Sequence, residues 1–81
     1  MTVSVTLYTR ANCHLCQEAA AALSVLATQL PIDVAPVDID ADPALRARFN
    51  DAVPVIAVEG TVVSSAPIDL EAVRLAIEAR R

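Results

Sequence analysis

The hydrophobic period of this chain changes within its first thirty residues, and that change restricts the possible folds more than any other feature. From Val3 to Thr9 the run VSVTLYT alternates apolar and polar residues and is rich in β-branched types, which reads as a strand. From Cys13 to about Leu30 the spacing becomes helical. Cys16, Ala19, Ala20, Leu23, Ala27 and Leu30 fall on one helical face, and the run EAAAAL is strongly helix-forming. Asn12 stands where an N-cap is expected, and Pro31 stops the helix. A strand thus feeds directly into a helix, and the only two cysteines of the chain, Cys13 and Cys16, sit at the junction.

The rest of the chain continues the alternation. IDVAPVDID, from Ile32 to Asp40, reads as a second strand, and Pro36 assigns it to a sheet edge. DPALRARFN carries a cap at Asp42, Pro43 at the first helical position, and Leu45 and Phe49 one turn apart, which makes a short helix. PVIAVEG and TVVS are two strands joined around Glu59-Gly60, and the last helix runs from about Asp69 to Arg80 with Leu70, Val73, Ala76 and Ile77 on its buried face. The order is β-α-β-α-β-β-α. A strand–helix–strand unit implies a parallel pair with a right-handed crossover, and the closing hairpin adds two antiparallel strands. The expectation is an α/β sandwich of three layers around a four-stranded mixed sheet, with helices over both faces.

Size and charge narrow the function. With 81 residues there is room for one domain, residues 1–81, and a 56% hydrophobic composition lets packing alone build its core. Two cysteines three residues apart close too short a loop to serve as a stabilising staple. The formal net charge of -4 argues against nucleic acid, whose phosphates need a basic surface. No apolar run approaches bilayer-spanning length, and MTVSVTLYTR lacks the pattern of a secretory leader. The expected setting is cytoplasmic and monomeric, away from membranes. In that compartment a close cysteine pair points to catalysis or metal binding.

At a helix start, Cys13 faces backbone N–H groups that have no partner within the helix, and the helix dipole favours an anion there. Its thiol is therefore expected to ionise below the pKa of a free cysteine. Arg10 and His14 are positioned in sequence to strengthen that effect. Cys16 lies one turn further in, on the apolar face, so it should be sheltered. An exposed nucleophile beside a sheltered partner is what thiol–disulfide exchange requires. Zinc needs four ligands, and one cysteine pair with His14 does not supply them, so no metal site is expected. Val53-Pro54 opens the third strand. Proline cannot donate to a sheet there, and the bond before it is either trans or cis on this reading.

These motifs together resemble the glutaredoxin-like proteins of the thioredoxin superfamily, over nearly the whole chain. YTRANCHLC is similar to the glutaredoxin pattern of Tyr-Ser/Thr-Lys, two residues, then Cys-Pro-Tyr-Cys; Tyr8, Thr9, Cys13 and Cys16 match, with Arg10 in place of the lysine. AVPVI is similar to the Thr-Val-Pro motif, which implies a cis bond before Pro54. The resemblance implies a thioredoxin-type fold and thiol–disulfide exchange, with Cys13 as nucleophile, Cys16 as resolving thiol and Pro54 shaping the substrate groove. It also implies glutathione contacts from Arg10, Val53 and the Ser64-Ser65 turn. Here His14-Leu15 replaces Pro-Tyr, Ser64-Ser65 replaces a glycine pair, and Ala66-Pro67 replaces a Cys/Ser-Asp pair. Those departures predict weak glutathione binding.

The implied partners are a protein disulfide and a thiol reductant, either glutathione or a thioredoxin-reductase-like protein, with no cofactor beyond the Cys13–Cys16 disulfide. Two other functions fit the same residues. One is an iron–sulfur cluster module in which two chains each give Cys13 and borrow glutathione thiols. The other is an interaction domain that keeps the redox fold without turnover.

Overall fold

The computed structural model of the chain describes residues 2–81. Strand β1 (Val3–Thr9) leads to helix α1 (His14–Ala27) and strand β2 (Ile32–Asp38). A 3₁₀ turn (Ile39–Ala41) and helix α2 (Pro43–Phe49) follow, then strands β3 (Val55–Val58) and β4 (Thr61–Ser65) and helix α3 (Leu70–Ala79). The sheet order is β2-β1-β3-β4. β1 runs parallel to β2, with Val3 opposite Ile32 and Thr9 opposite Asp38. It runs antiparallel to β3, with Tyr8 opposite Val55, and β4 closes antiparallel on β3. The mixed sheet and element order are those anticipated from the periodicity. Pro36 lies on the edge strand β2, where half of the backbone groups have no neighbouring strand to serve.

The alternation of β1 divides the interior into two clusters. Val3, Val5 and Leu7 point to one face and pack with Ala19, Leu23 and Leu26 of α1 and Val73 and Ile77 of α3. The opposite face carries a smaller cluster of Ile39, Phe49 and Val55, against which Tyr8, Leu45 and Val53 pack. Tyr8 and Phe49 stack with ring centroids 4.7 Å apart, and the Arg48 guanidinium lies over the Phe49 ring at 4.7 Å. An aromatic pair of this kind contributes about 0.5–1.5 kcal/mol beyond its buried area. Helices do cover both faces, but unevenly. The seven residues of α2 reach only the Tyr8 end of the second face, and Ser4, Asp33 and Ala35 at the other end are exposed.

Several details differ from the periodicity reading, beginning with β2, which was expected to run to Asp40 but ends at Asp38, where the Asp38 carboxylate accepts the Asp40 N–H and starts the 3₁₀ turn. The cap of α1 is Cys13 itself, with extended φ of -109°, while Asn12 takes the left-handed conformation at φ 59°. Asparagine tolerates that region better than other side-chain-bearing residues. The buried stripe of α1 is Cys16, Ala19, Leu23 and Leu26, continued by Leu30; Ala20 and Ala27 are exposed. Turning Leu26 inward instead of Ala27 removes more apolar surface from water, which decides the helix rotation. In α3, Val73 and Ile77 are buried and Ala76 half-buried, whereas Leu70 is 37% exposed. The β3–β4 turn is Glu59-Gly60 with both φ positive, 48° and 83°, as a type I′ hairpin turn requires.

Candidate functional site

Cys13 and Cys16 are joined in a disulfide across a Cα–Cα distance of 5.2 Å, well within the range that unstrained bridges span. Their surroundings differ. Cys13 is half-buried and caps α1, its Sγ accepting the Cys16 N–H at 3.2 Å while its carbonyl accepts the Gln17 N–H at 3.1 Å. Cys16 is 2% exposed, within the stripe that packs on the sheet. No carboxylate lies in the first turn of α1 to oppose a negative charge there. When the bridge is reduced, the N–H at the helix start and the helix dipole both favour a thiolate on Cys13 over one on Cys16.

Arg10 and His14, assigned in the sequence to tuning that thiolate, are placed differently from each other. His14 follows the cap and is mostly exposed, its Nε2 3.8 Å from Glu18 Oε2 one turn on. Arg10 is turned toward the opposite flank. Its Nε and Nη2 donate to both carboxylate oxygens of Asp40, at 3.1 and 2.7 Å, and Nη1 and Nη2 donate to the carbonyl and side-chain oxygens of Asn50, at 3.0 and 3.1 Å. The hydrogen bonds to Asp40 hold the arginine further into its charged form, and the guanidinium holds the Asp40 carboxyl below the usual carboxylate range. The cation next to the cysteines in sequence is thus already neutralised and braces the end of α2.

That brace belongs to a series of loop contacts. Asn50 begins the segment leading to Val53-Pro54, whose peptide bond is cis. The Ala52 carbonyl accepts the Ala66 N–H at 3.1 Å, tying this segment to the β4–α3 loop. Val53 lies outside the strand pairings, while its side chain packs on the smaller cluster; Pro54 is buried directly before β3. Ser64 and Ser65, assigned to ligand contacts, are structural partners here. Ser64 Oγ accepts the Asp69 N–H at 3.0 Å, and Ser65 pairs with Val55 in the sheet. The start of α3 is capped by the Asp69 carboxylate, which accepts the Ala72 N–H, and Glu71 adds a second negative charge in the first turn. The Ala66-Pro67 bond is also cis.

Between α1 and these loops lies an open cleft of about 320 Å³, lined by Leu15, Glu18, Ala19 and Ala22 of α1, by Pro54, and by Ala66, Pro67, Ile68 and Leu70. The sequence reading missed it, apart from Pro54. The available signal was Leu15, an apolar residue at a position between the cysteines that should face water, together with the apolar Ala66-Pro67-Ile68 run in a loop. Asp40 and Asn50 carried no signal, because they meet Arg10 only once the chain has folded. Among the described residues no three His, Cys, Asp or Glu side chains cluster as metal ligands, and no helix is long and apolar enough to cross a membrane.

Residues 4–78 match the model of the Glutaredoxin-like domain (DUF836). The chain is 38% identical over 61 residues to uncharacterized proteins of Mycobacterium bovis and Mycobacterium tuberculosis, a match covering 69% of this chain and 63% of each relative. It therefore spans less than two thirds of those proteins. Among solved structures it resembles the solution structure of a Nitrosomonas europaea protein, with a TM-score of 0.83 and 27% identity over 93% of this chain and 91% of that one. It also resembles a thioredoxin variant from Halobacterium salinarum, with a TM-score of 0.71 and 26% identity over 95% of this chain and 73% of that one. The fold is the thioredoxin fold, and the chain belongs to the glutaredoxin-like domain family.

Proposed function

We propose that this protein is a small cytoplasmic thiol–disulfide oxidoreductase, acting as a monomer on protein disulfides through Cys13 and Cys16. The observation that carries the reading is the inequality of the two sulfurs: Cys13 caps the helix and accepts an N–H, whereas Cys16 is 2% exposed. In the dithiol form, the Cys13 thiolate attacks one sulfur of a substrate disulfide. A new S–S bond joins Cys13 to the substrate, and the displaced substrate thiolate takes up a proton. Cys16 then gives up its proton and attacks Cys13 Sγ, releasing the second substrate thiolate, which is protonated in turn. The protein ends as the Cys13–Cys16 disulfide, oxidised by two electrons, and the substrate as a dithiol. A thiol reductant restores the starting state.

Glutathione is a poor fit on this reading. Of the groups such a ligand would use, Arg10 is held by Asp40 and Asn50, and Ser64 Oγ is held by the Asp69 N–H. The start of α3 carries the carboxylates of Asp69 and Glu71, which oppose a ligand carboxylate. Each charge-assisted hydrogen bond lost is worth about 1.5–3 kcal/mol, so losing two weakens binding about a hundredfold or more. The reductant is then a protein rather than glutathione.

To test the activity, the dithiol form is mixed with a disulfide-bearing protein, and free thiols are alkylated and weighed over time. Loss of both thiols from Cys13 and Cys16, matched by two new thiols on the substrate, is the expected result. A dithiol form that stays reduced overturns the proposal. Re-reduction by a thioredoxin reductase but not by glutathione supports the choice of donor, and the reverse pattern contradicts it.

A further inference from the structure

We infer that the cleft beside the cysteines selects disulfide-bearing protein segments in which an aliphatic side chain lies next to a lysine or arginine. This deepens the oxidoreductase reading and rests on it. The cleft is apolar along its walls, and two of its lining residues, Leu15 and Leu70, are 52% and 37% exposed. Large apolar side chains on opposite walls of an open cleft favour an occupant that removes them from water. At about 320 Å³ the cleft is at the small end of ligand sites, which suits a short stretch of peptide carrying an aliphatic side chain.

Charge decides which peptide. Glu18 is the one ionisable residue in the lining, and Asp69 and Glu71 flank the lining residue Leu70. The arginines are placed elsewhere. Arg10 is held by Asp40 and Asn50, and Arg74 donates to Gln29 at the far end of α1. Arg46 and Arg48 are on α2, over the other face of the sheet. Arg80 and Arg81 follow the end of α3, about 15 Å along its axis from Leu70. Among the described residues His14 is the only other group that could bring positive charge to this rim, and its imidazole lies 3.8 Å from Glu18. The positive end of the α3 dipole is answered by Asp69 and Glu71. With three carboxylates against at most one imidazolium the rim is negative, and it attracts a cationic flank while repelling an acidic one.

The test uses two peptides, each with one internal disulfide and a leucine beside one cysteine, differing only in arginine or glutamate next to that leucine. The desalted dithiol protein is mixed with each at pH 8, and the transfer of two electrons to the peptide is followed by alkylation and mass. The arginine peptide should be reduced about threefold faster or more at low salt. The ratio should fall toward one at high salt and in Glu18→Gln, while Glu78→Gln, on the far part of α3, keeps it. Replacing the peptide leucine by serine should slow both. Equal rates, or a faster glutamate peptide, overturn the inference while leaving the oxidoreductase reading intact. No reduction of either peptide overturns both.

Discussion

The two flanks of the cysteine pair are built on opposite principles. On one side the polar groups answer each other: Arg10 is shared between Asp40 and Asn50, above a small core of Ile39, Phe49 and Val55. On the other side an apolar cleft is left open, with Leu15 and Leu70 uncovered and carboxylates along its rim. A charge near a reactive sulfur is therefore not by itself a ligand contact. Here the charged flank holds the scaffold in place, and the apolar flank is the one with surface left to offer a partner.

The largest expected effect removes what the flanks share. Cys13→Ser should abolish exchange, since no thiolate remains at the helix start, with circular dichroism confirming an intact fold. Next come two truncations on opposite flanks. Phe49→Ala, at a 5% exposed ring stacked on Tyr8, should cost about 3–5 kcal/mol in denaturant unfolding. Leu15→Ala, at a 52% exposed side chain, should change stability by less than about 0.5 kcal/mol yet slow exchange with protein disulfides. If Leu15→Ala unfolds the protein as readily as Phe49→Ala, the division between scaffold and docking surface is wrong.

A smaller effect isolates the Arg10–Asp40 pair. Its hydrogen bonds lower the Asp40 pKa in the folded state. The pair therefore stabilises the fold fully above the unfolded-state carboxylate value of about 3.9, and the contribution is lost as pH falls through the folded value. Asp40→Asn should accordingly be less stable than the parent at pH 7, with the gap narrowing below about pH 4. Unfolding midpoints measured across that range check it. A gap that is constant with pH would show that the ion pair contributes nothing.

Element order, the edge position of β2 and the placement of the cysteines at a strand–helix junction were all legible in the sequence, because they depend on local period and on proline chemistry. What was not legible depends on long-range meetings. The sequence showed Arg10 three residues before Cys13, but not that Asp40 and Asn50 would claim its guanidinium from across the fold. It offered Ser64-Ser65 as a ligand-binding turn, whereas both lie in β4, and it did not show that the Asp69 N–H would occupy the Ser64 hydroxyl. The inward face of α1 was read through Ala27 instead of Leu26, since period alone leaves the rotation open by one residue and only packing into the larger cluster settles it. The cleft was hidden for the same reason, one wall coming from residues 15–22 and the other from residues 54–70.

The central claim is that Cys13 attacks and Cys16 resolves, and the most direct measurement is covalent trapping. The Cys16→Ser and Cys13→Ser variants are each incubated with a disulfide-bearing protein, quenched with acid, and examined by mass without reductant. Cys16→Ser should accumulate a mixed disulfide through Cys13 Sγ, because nothing remains to displace the substrate, and Cys13→Ser should accumulate none because Cys16 is buried. Trapping by Cys13→Ser alone would reverse the roles and contradict the account.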